Sequence, residues 1–278
     1  MALTPGIHAD VPEADYHAAE GEPSLSVSGA KRILDSPARF KWERENPPRK
    51  KVFDFVHAAH AKVLGVGLEV VTVPLDLCAK NGAWSTAEAK AFVAEAEAAG
   101  KVVLKQADLD VVDAMAEALK TNAEAMRLLA DGIPEQSICW RDEETKLLLR
   151  GRSDWTTTLG DLPIIVDYKT CDDANPDQFR WEAGRYGYPM QDAWYREGYE
   201  ALTGQPHGFV FIAQEKKAPY LSSVVEIDDE AREIGAQRNR VARQIFLDCM
   251  TRDEWPAFPG IHRVAVPNIR PAKEYTNV

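Results

Sequence analysis

The sequence predicts an α/β (α+β) fold in which a central mixed sheet of about five strands is flanked by helices. Three observations lead there. The apolar pattern runs helices, three strands, helix, two strands, helix, which is the order of a layered sheet covered on its faces. The chain has 278 residues, 45% hydrophobic and 28% charged, ordinary for a large globular unit with a buried core. Two short apolar runs, Leu147-Leu148-Leu149 and Ile164-Ile165-Val166, lie either side of a turn at Leu159-Gly160-Asp161-Leu162-Pro163 and read as a hairpin. We expect one domain over residues 1–278. Residues 1–130 would be its mainly helical N-terminal part, 131–255 its sheet-bearing core and 256–278 an irregular tail.

Residues 1–24 are punctuated by Pro5, Pro12 and Pro23 and read as irregular. Ser26 or Ser28 can cap a helix carrying Ala30, Ile33 and Leu34, which ends before Ser36-Pro37. A second helix runs from Pro37 to Glu45. Phe53 to Leu64 reads as a buried helix with Phe53, Val56, His60, Val63 and Leu64 near one face. On pattern alone, such a histidine is more often a hydrogen-bonded core residue than a ligand. Ser85-x-x-Glu88 is a capping box opening a helix that ends at Gly100. A helix over about 107–130 presents Leu109, Val112, Met115, Leu119, Met126 and Leu129 inward, and the two helices form a packing layer. From Glu135 the period becomes that of strands, at Gln136 to Trp140, Lys146 to Thr158 and the run ending in Asp167. A helical stretch covers about Pro176 to Leu202, its long helix starting near Pro189 because proline suits a first turn. Gly208 to Gln214 and Tyr220 to Ile227 are strands, and a helix from about Asp229 to Thr251 closes the core.

The net charge of −11 argues against indiscriminate polyanion binding, but a local basic groove outweighs the total. Residues 31–51 hold eight basic residues against three acidic ones. That is either a solvated helix face or a patch that tracks phosphates. Cys78, Cys139, Cys171 and Cys249 show no C-x-x-C spacing, so neither a zinc ribbon nor an iron–sulfur cluster is expected. No run approaches the ~20 apolar residues of a membrane span, and residues 1–6 lack the regions of a secretion signal. A cytoplasmic protein with reduced thiols and no membrane partner is the expectation.

Chemistry concentrates in Arg150-Gly151-Arg152-Ser153-Asp154-Trp155 and Pro163-Ile164-Ile165-Val166-Asp167-Tyr168-Lys169-Thr170. The hairpin puts Asp154 on one strand and Asp167 on the next. Side chains alternate, so Asp167 and Lys169 share a face while Tyr168 points away. Cross-strand neighbours approach within roughly 5 Å. That suits two carboxylates sharing a divalent metal and a lysine beside the attacking water. An isolated D-x-K is more often two solvated charges. Here an apolar run carries the pair to the end of a buried strand, where charges must find partners.

Glu135, Asp154 and the triplet Asp167-Tyr168-Lys169 together resemble the PD-(D/E)xK nuclease core. A longer ordered set resembles the exonuclease VIII (RecE) type of phage exonucleases, within the broader RecB-like group. It begins with Ser24-Leu25-Ser26-x-Ser28-x-x-Lys31-x-x-Leu34-x-Ser36-Pro37-Ala38-x-Phe40 and Phe53-x-Phe55-x-x-Ala58-x-His60. It continues with Glu135, Arg152-x-Asp154, Asp167-x-Lys169-Thr170 and Gly187-Tyr188-x-x-Gln191-x-Ala193-x-Tyr195, spanning roughly residues 5–230. Each piece alone is common; the order is what is specific.

The resemblance implies a restriction-endonuclease-like core with an N-terminal helical elaboration. It implies that His60, Glu135, Asp154, Asp167 and the Tyr168 carbonyl hold Mg²⁺ or Mn²⁺, hard cations that prefer oxygen ligands. Lys169 would orient or deprotonate the water, and Gln191 and Tyr195 would sit beside the site. One departure is Val56, where the RecB-like histidine helix carries a glycine four residues before the histidine. The implied activity is degradation of double-stranded DNA ends, 5′ to 3′, with a single-strand annealing protein of the RecT type as partner and a ring-shaped homo-oligomer as assembly. The other readings are a spacer-trimming or single-strand-directed nuclease with the same core, and a DNA-end-binding module without catalysis. The intact Asp154, Asp167 and Lys169 argue against the last. In the basic segment Lys31, Arg32, Arg39 and Lys41 are the expected phosphate contacts, with Ser26 and Ser28 as hydroxyl donors to a terminal phosphate.

Overall fold

The computed structural model describes residues 4–9, 11–12, 15–16, 22–46, 54–67 and 69–264. Arg49, Lys50, Lys51 and Phe53, parts of the 1–24 stretch and the tail beyond residue 264 lie outside them. Two three-residue strands come first, β1 (Gly6–His8) and β2 (Ser24–Ser26), then α1 (Val27–Asp35) and α2 (Pro37–Glu45). Ser26 caps α1 by accepting the Gly29 N–H, and Ser36 caps α2 by accepting the Arg39 N–H, with Pro37 in the first turn. α3 (Asp54–Leu64) follows. β3 (Val70–Thr72) and β4 (Val102–Leu104) form a small parallel sheet of their own, and α4 (Ala87–Ala98) packs on it through Ala89 and Ala96. The cap of α4 is Thr86, one residue beyond the expected Ser85, and its hydroxyl accepts the Ala89 N–H.

The single helix expected over 107–130 is two, α5 (Gln106–Leu119) and α6 (Ala123–Leu129). Asn122 ends the first by capping the second through the Ala125 N–H. The break shifts the helical register, so Ala125 and Leu128 are buried and Met126, expected inward, is exposed.

The remaining strands are β5 (Ile133–Arg141), β6 (Leu148–Leu159), β7 (Leu162–Cys171), β8 (Gly208–Glu215) and β9 (Ser222–Val225). α7 (Pro176–Tyr186) and α8 (Tyr188–Thr203) join β7 to β8, and α9 (Asp229–Arg252) follows β9. The expected helical stretch over Pro176 to Leu202 thus breaks at Gly187, which takes the left-handed φ of 65°. The main sheet is mixed, in the order β1-β5-β6-β7-β8-β9 with β2 beside β6. Parallel pairing joins β7 to β8 and β2 to β6; the other pairs are antiparallel. Seven strands therefore stand where about five are expected. The added two are β1 and β2, too short to show alternation in sequence.

The sheet is covered on both faces. One side buries Leu25, Ile33, Ile138, Trp194, Phe211 and Phe246 under α1, α8 and α9. The other buries Ala58, Val112, Met115, Leu128, Val166 and Tyr168 under α3, α5 and α6. Each fully buried large apolar side chain contributes roughly 1.5–3 kcal/mol. β7 runs through the middle, Ile164 to Tyr168 all buried. Its hairpin with β6 closes over Gly160-Asp161, with Gly160 at φ 62° as a two-residue primed turn requires. Pro163, expected in the turn, is already in β7. Its pairing with β8 starts only at Ile164, so the missing N–H is not needed there.

Candidate active site

β6 and β7 pair from Leu159↔Leu162 to Trp155↔Val166. One further step sets Asp154 opposite Asp167, and there the ladder gives way to a side chain: Asp154 Oδ2 accepts the Tyr168 N–H at 2.9 Å. On its other side, the β5–β6 register sets Glu135 opposite Asp154, between the pairs Pro134↔Trp155 and Gln136↔Ser153. Three acids thus lie in a row across three neighbouring strands. Strand alternation breaks along this row. Ser153 bonds the Tyr199 hydroxyl on the α8 side, whereas Trp155 donates to the Leu128 carbonyl on the opposite face. Glu135 takes φ 50°, rare for a residue with a Cβ. Local distortion of this kind turns side chains that regular strands would bury elsewhere.

Asp167 is buried and Asp154 half-buried. Burial is the main cause that raises the Asp167 carboxyl to about 6; Lys169 opposes it and Asp154 adds to it. Burial also raises Asp154, against Lys169 and the Tyr168 N–H. Lys169 ion-pairs with Asp167 Oδ2. Burial lowers the ammonium's pKa, but Asp167 and Asp154 outweigh it and the net shift is upward. The Gln191 amide donates to Asp167 Oδ1 at 2.5 Å.

His60 reaches the row from α3. Its Nδ1 lies 3.5 Å from Asp154 Oδ2, and its ring meets Tyr168 edge-on at 5.1 Å. Burial, then repulsion from Lys169, lowers its pKa to about 4, so the imidazole is neutral near pH 7. Val56 does not hold the helix off. The buried Ala58 and Ala59 face the core and let α3 come close, while Val56 is only half-buried. The tyrosine of the Q-x-x-x-Y pair acts on the strand: Tyr195 OH donates to the Arg152 carbonyl at 2.6 Å and accepts its N–H at 3.2 Å. Only glycine fits at position 151, where a Cβ would stand 2.7 Å from the Tyr195 ring. Tyr195 therefore holds β6 two residues before Asp154.

The expected DNA contacts divide. Arg32 pairs with Glu43 at 3.2 Å, Arg39 with Asp35, and Lys41 with Asp253 at 3.1 Å. Ser26 is engaged as a cap and Ser28 is exposed. Lys31 instead turns toward the acid row. Its ammonium lies 5.7 Å from the centre of the Tyr188 ring, which also carries Lys169 at 5.4 Å. Burial and repulsion from Lys169 bring it down to about 8. Sequence reasoning gave no role to Tyr188, which separates these two lysines, or to Tyr16, which lies under Arg150 and Arg152 at 5.0 and 4.5 Å. An aromatic beside paired lysines or arginines is the signal that could have found both.

The donors suit a hard divalent cation: two carboxylates, Asp167 buried and Asp154 half-buried, both raised by desolvation and answered by the one ammonium of Lys169, with one neutral imidazole beside them. Among the described residues no three His, Cys, Asp or Glu side chains already form a cage. Lys169 lies against Asp167, and the Arg152 guanidinium lies 3.9 Å from Glu135. Among the same residues, no helix is long and apolar enough to cross a membrane.

The profile of a family described as a PDDEXK-like domain of unknown function (DUF3799) matches residues 26–262. No curated protein matches the sequence. Among solved structures, a protein from Eubacterium rectale provisionally named an exonuclease is similar over 95% of this chain and 97% of its own, at 13% identity and a TM-score of 0.63. A phage-related exonuclease from Haemophilus somnus 129PT matches over 84% of this chain and 98% of its own, at 12% identity and a TM-score of 0.34, too low to argue from.

Proposed function

Since the chain belongs to this PDDEXK-like family, we propose that it is a nuclease that hydrolyses DNA phosphodiester bonds at the acid row. The observation that carries this reading is Asp154 set opposite Asp167, the first half-buried and the second buried, with Lys169 and a neutral His60 against them. Two like charges set side by side and largely out of water cost stability, and a purely structural hairpin has no use for them. Asp154, Asp167 and His60, with Glu135 and the Tyr168 carbonyl, would hold Mg²⁺ or Mn²⁺, which would supply charge neutralisation at the phosphate and an acidified water.

The chain's own groups do the rest. Lys169 keeps its proton near neutral pH, because its pKa is raised. As a cation it orients the water and stabilises charge developing on the phosphate. Gln191 fixes the Asp167 carboxylate, and Tyr195 fixes the strand that carries Asp154. Lys31 is the cation best placed for a phosphate next to the scissile one. Arg32, Arg39 and Lys41 form an outer rim whose charge is partly answered by Glu43, Asp35 and Asp253, with the exposed Ser28 nearby in sequence.

The sequence resemblance supports a finer statement: the substrate is a linear double-stranded DNA end, resected 5′ to 3′, with a RecT-type annealing protein downstream and a ring-shaped homo-oligomer as the working form. The test compares end-labelled linear duplex, with and without a 5′-phosphate, against covalently closed circles in Mg²⁺. Release of mononucleotides from linear DNA only supports the proposal. Cutting of circles at the same rate overturns the end-directed part of it.

A further inference from the structure

α7 carries two exposed aromatics, Trp181 and Tyr186, 68% and 51% exposed. Each lies beside its neighbouring guanidinium: Arg180 is 5.2 Å from the Trp181 ring centre, and Arg185 is 5.6 Å from that of Tyr186. Tyr186 stacks on Tyr188 at 6.0 Å and 25°. Tyr188 in turn carries Lys31 and Lys169, and Lys169 holds Asp167. From Tyr186 inward, flat rings and cations therefore run from the surface to the acid row, and Trp181 with Arg180 stands one helical turn and a half before that series. A single exposed aromatic needs no explanation; a connected series that ends at a candidate catalytic centre does.

Gly184 is a second and independent observation. Trp181, Gly184 and Arg185 stand at i, i+3 and i+4, on one helix face, with Phe179 and Ala183 buried on another. Glycine is the poorest helix former after proline. Its φ here is not in the left-handed range, and a Cβ would meet nothing within 4 Å. Neither backbone conformation nor packing asks for it. Its missing side chain leaves a level floor on which a ligand backbone can lie. The acids of α7 are Asp177, in the first turn, and Glu182, which is half-buried near Asp172; burial, then Asp172, raises its carboxyl.

We propose that the exposed side of α7, from Trp181 round to Tyr186 at its end, is a stacking track for a single strand of nucleic acid leading to the acid row. Unpaired bases stack on Trp181 and Tyr186, and the strand's phosphates pass over Gly184 between Arg180, Arg185 and Lys31. A duplex hides its base faces, so the occupant is an unpaired end. Aromatic platforms with arginine bind such strands with little regard for sequence. The proposal rests on the nuclease reading and names the substrate form which that site receives.

The test is fluorescence anisotropy with the full chain in Ca²⁺, using labelled oligothymidylate, oligouridylate and a blunt duplex. Trp181→Ala should weaken single-strand binding roughly tenfold or more and affect the blunt duplex less. Gly184→Leu should weaken it too, while Gly184→Ala raises the melting temperature. The thymidylate and uridylate arms show whether the strand is DNA or RNA. Unmodified single-strand affinity in both Trp181→Ala and Gly184→Leu overturns the proposal, as does a wild-type chain that binds no single strand. A protein that binds single strands through Trp181 and cuts no substrate sinks the nuclease reading alone, and one that cuts while both variants bind single strands as wild type does sinks the track alone.

Discussion

Replacing Asp167 by asparagine should stabilise the metal-free protein above pH 6 and abolish its response to Mg²⁺. The Asp167 carboxyl is buried and raised from 3.8 to about 6, chiefly by burial, against Lys169. Two units correspond to about 3 kcal/mol at 1.36 kcal/mol per unit. The folded value lies above the unfolded one. The stability this group lends is therefore complete below pH 3.8 and lost as pH rises through about 6. Asparagine copies the protonated acid at every pH. The variant should match wild type near pH 4 and exceed it by up to about 3 kcal/mol at pH 8; the attraction of Lys169 is already contained in that shift. Denaturant unfolding in chelator at pH 5 and pH 8 measures it. Mg²⁺ at 100 times its dissociation constant should then add about 2.7 kcal/mol to wild type and nothing to the variant, restoring much of the difference. A variant less stable than wild type at both pH values, or a wild type indifferent to Mg²⁺ at pH 8, would refute the reasoning.

Two further outcomes follow from the same geometry. His60→Ala should weaken metal affinity and cut the rate with only a modest loss of stability. It should also flatten the stability curve below pH 6.5, because the unfolded imidazole takes a proton that the folded one, lowered to about 4, refuses; metal titration and pH-dependent unfolding of the folded variant check both, and a large fall in melting temperature with normal metal affinity would make it a core histidine. Lys31→Met should weaken duplex binding in Ca²⁺ and flatten the salt slope by about one unit, more than the double change Arg39→Ala with Lys41→Ala, whose cations are shared with Asp35 and Asp253; equal or reversed effects would move the phosphate track to the outer rim.

Much of this was legible because local signals agreed with the tertiary outcome. Ser36 ahead of Pro37 marked both the end of α1 at Asp35 and the start of α2 at Pro37. The apolar run before Asp167 read as a short buried strand, and the turn signals between Leu159 and Pro163 set its partner, so Asp154 and Asp167 fell on neighbouring strands. Other features depend on distant contacts. Asn122 breaks a stripe that is continuous in sequence, since Leu119 and Met126 keep helical i, i+7 spacing across it. β1 and β2 exist only because β5 and β6 offer free edges. Alternation is a local rule, so the distortion at Glu135 and Asp154 leaves no trace in the pattern. Lys31 looked like one more cation in a basic run; only the packing of α1 near Gly187 and Tyr188 turns it inward.

The central claim is that Asp154 and Asp167 form a metal-dependent phosphodiesterase centre. Its most direct test is the cleavage rate on one linear DNA substrate for three samples: wild type in Mg²⁺, wild type in excess chelator, and Asp154→Ala in Mg²⁺. The account predicts cleavage in the first alone, with the other two lower by several orders of magnitude, because groups that act as a unit fail together. Cleavage that survives chelation, or an Asp154→Ala variant as fast as wild type, would contradict it.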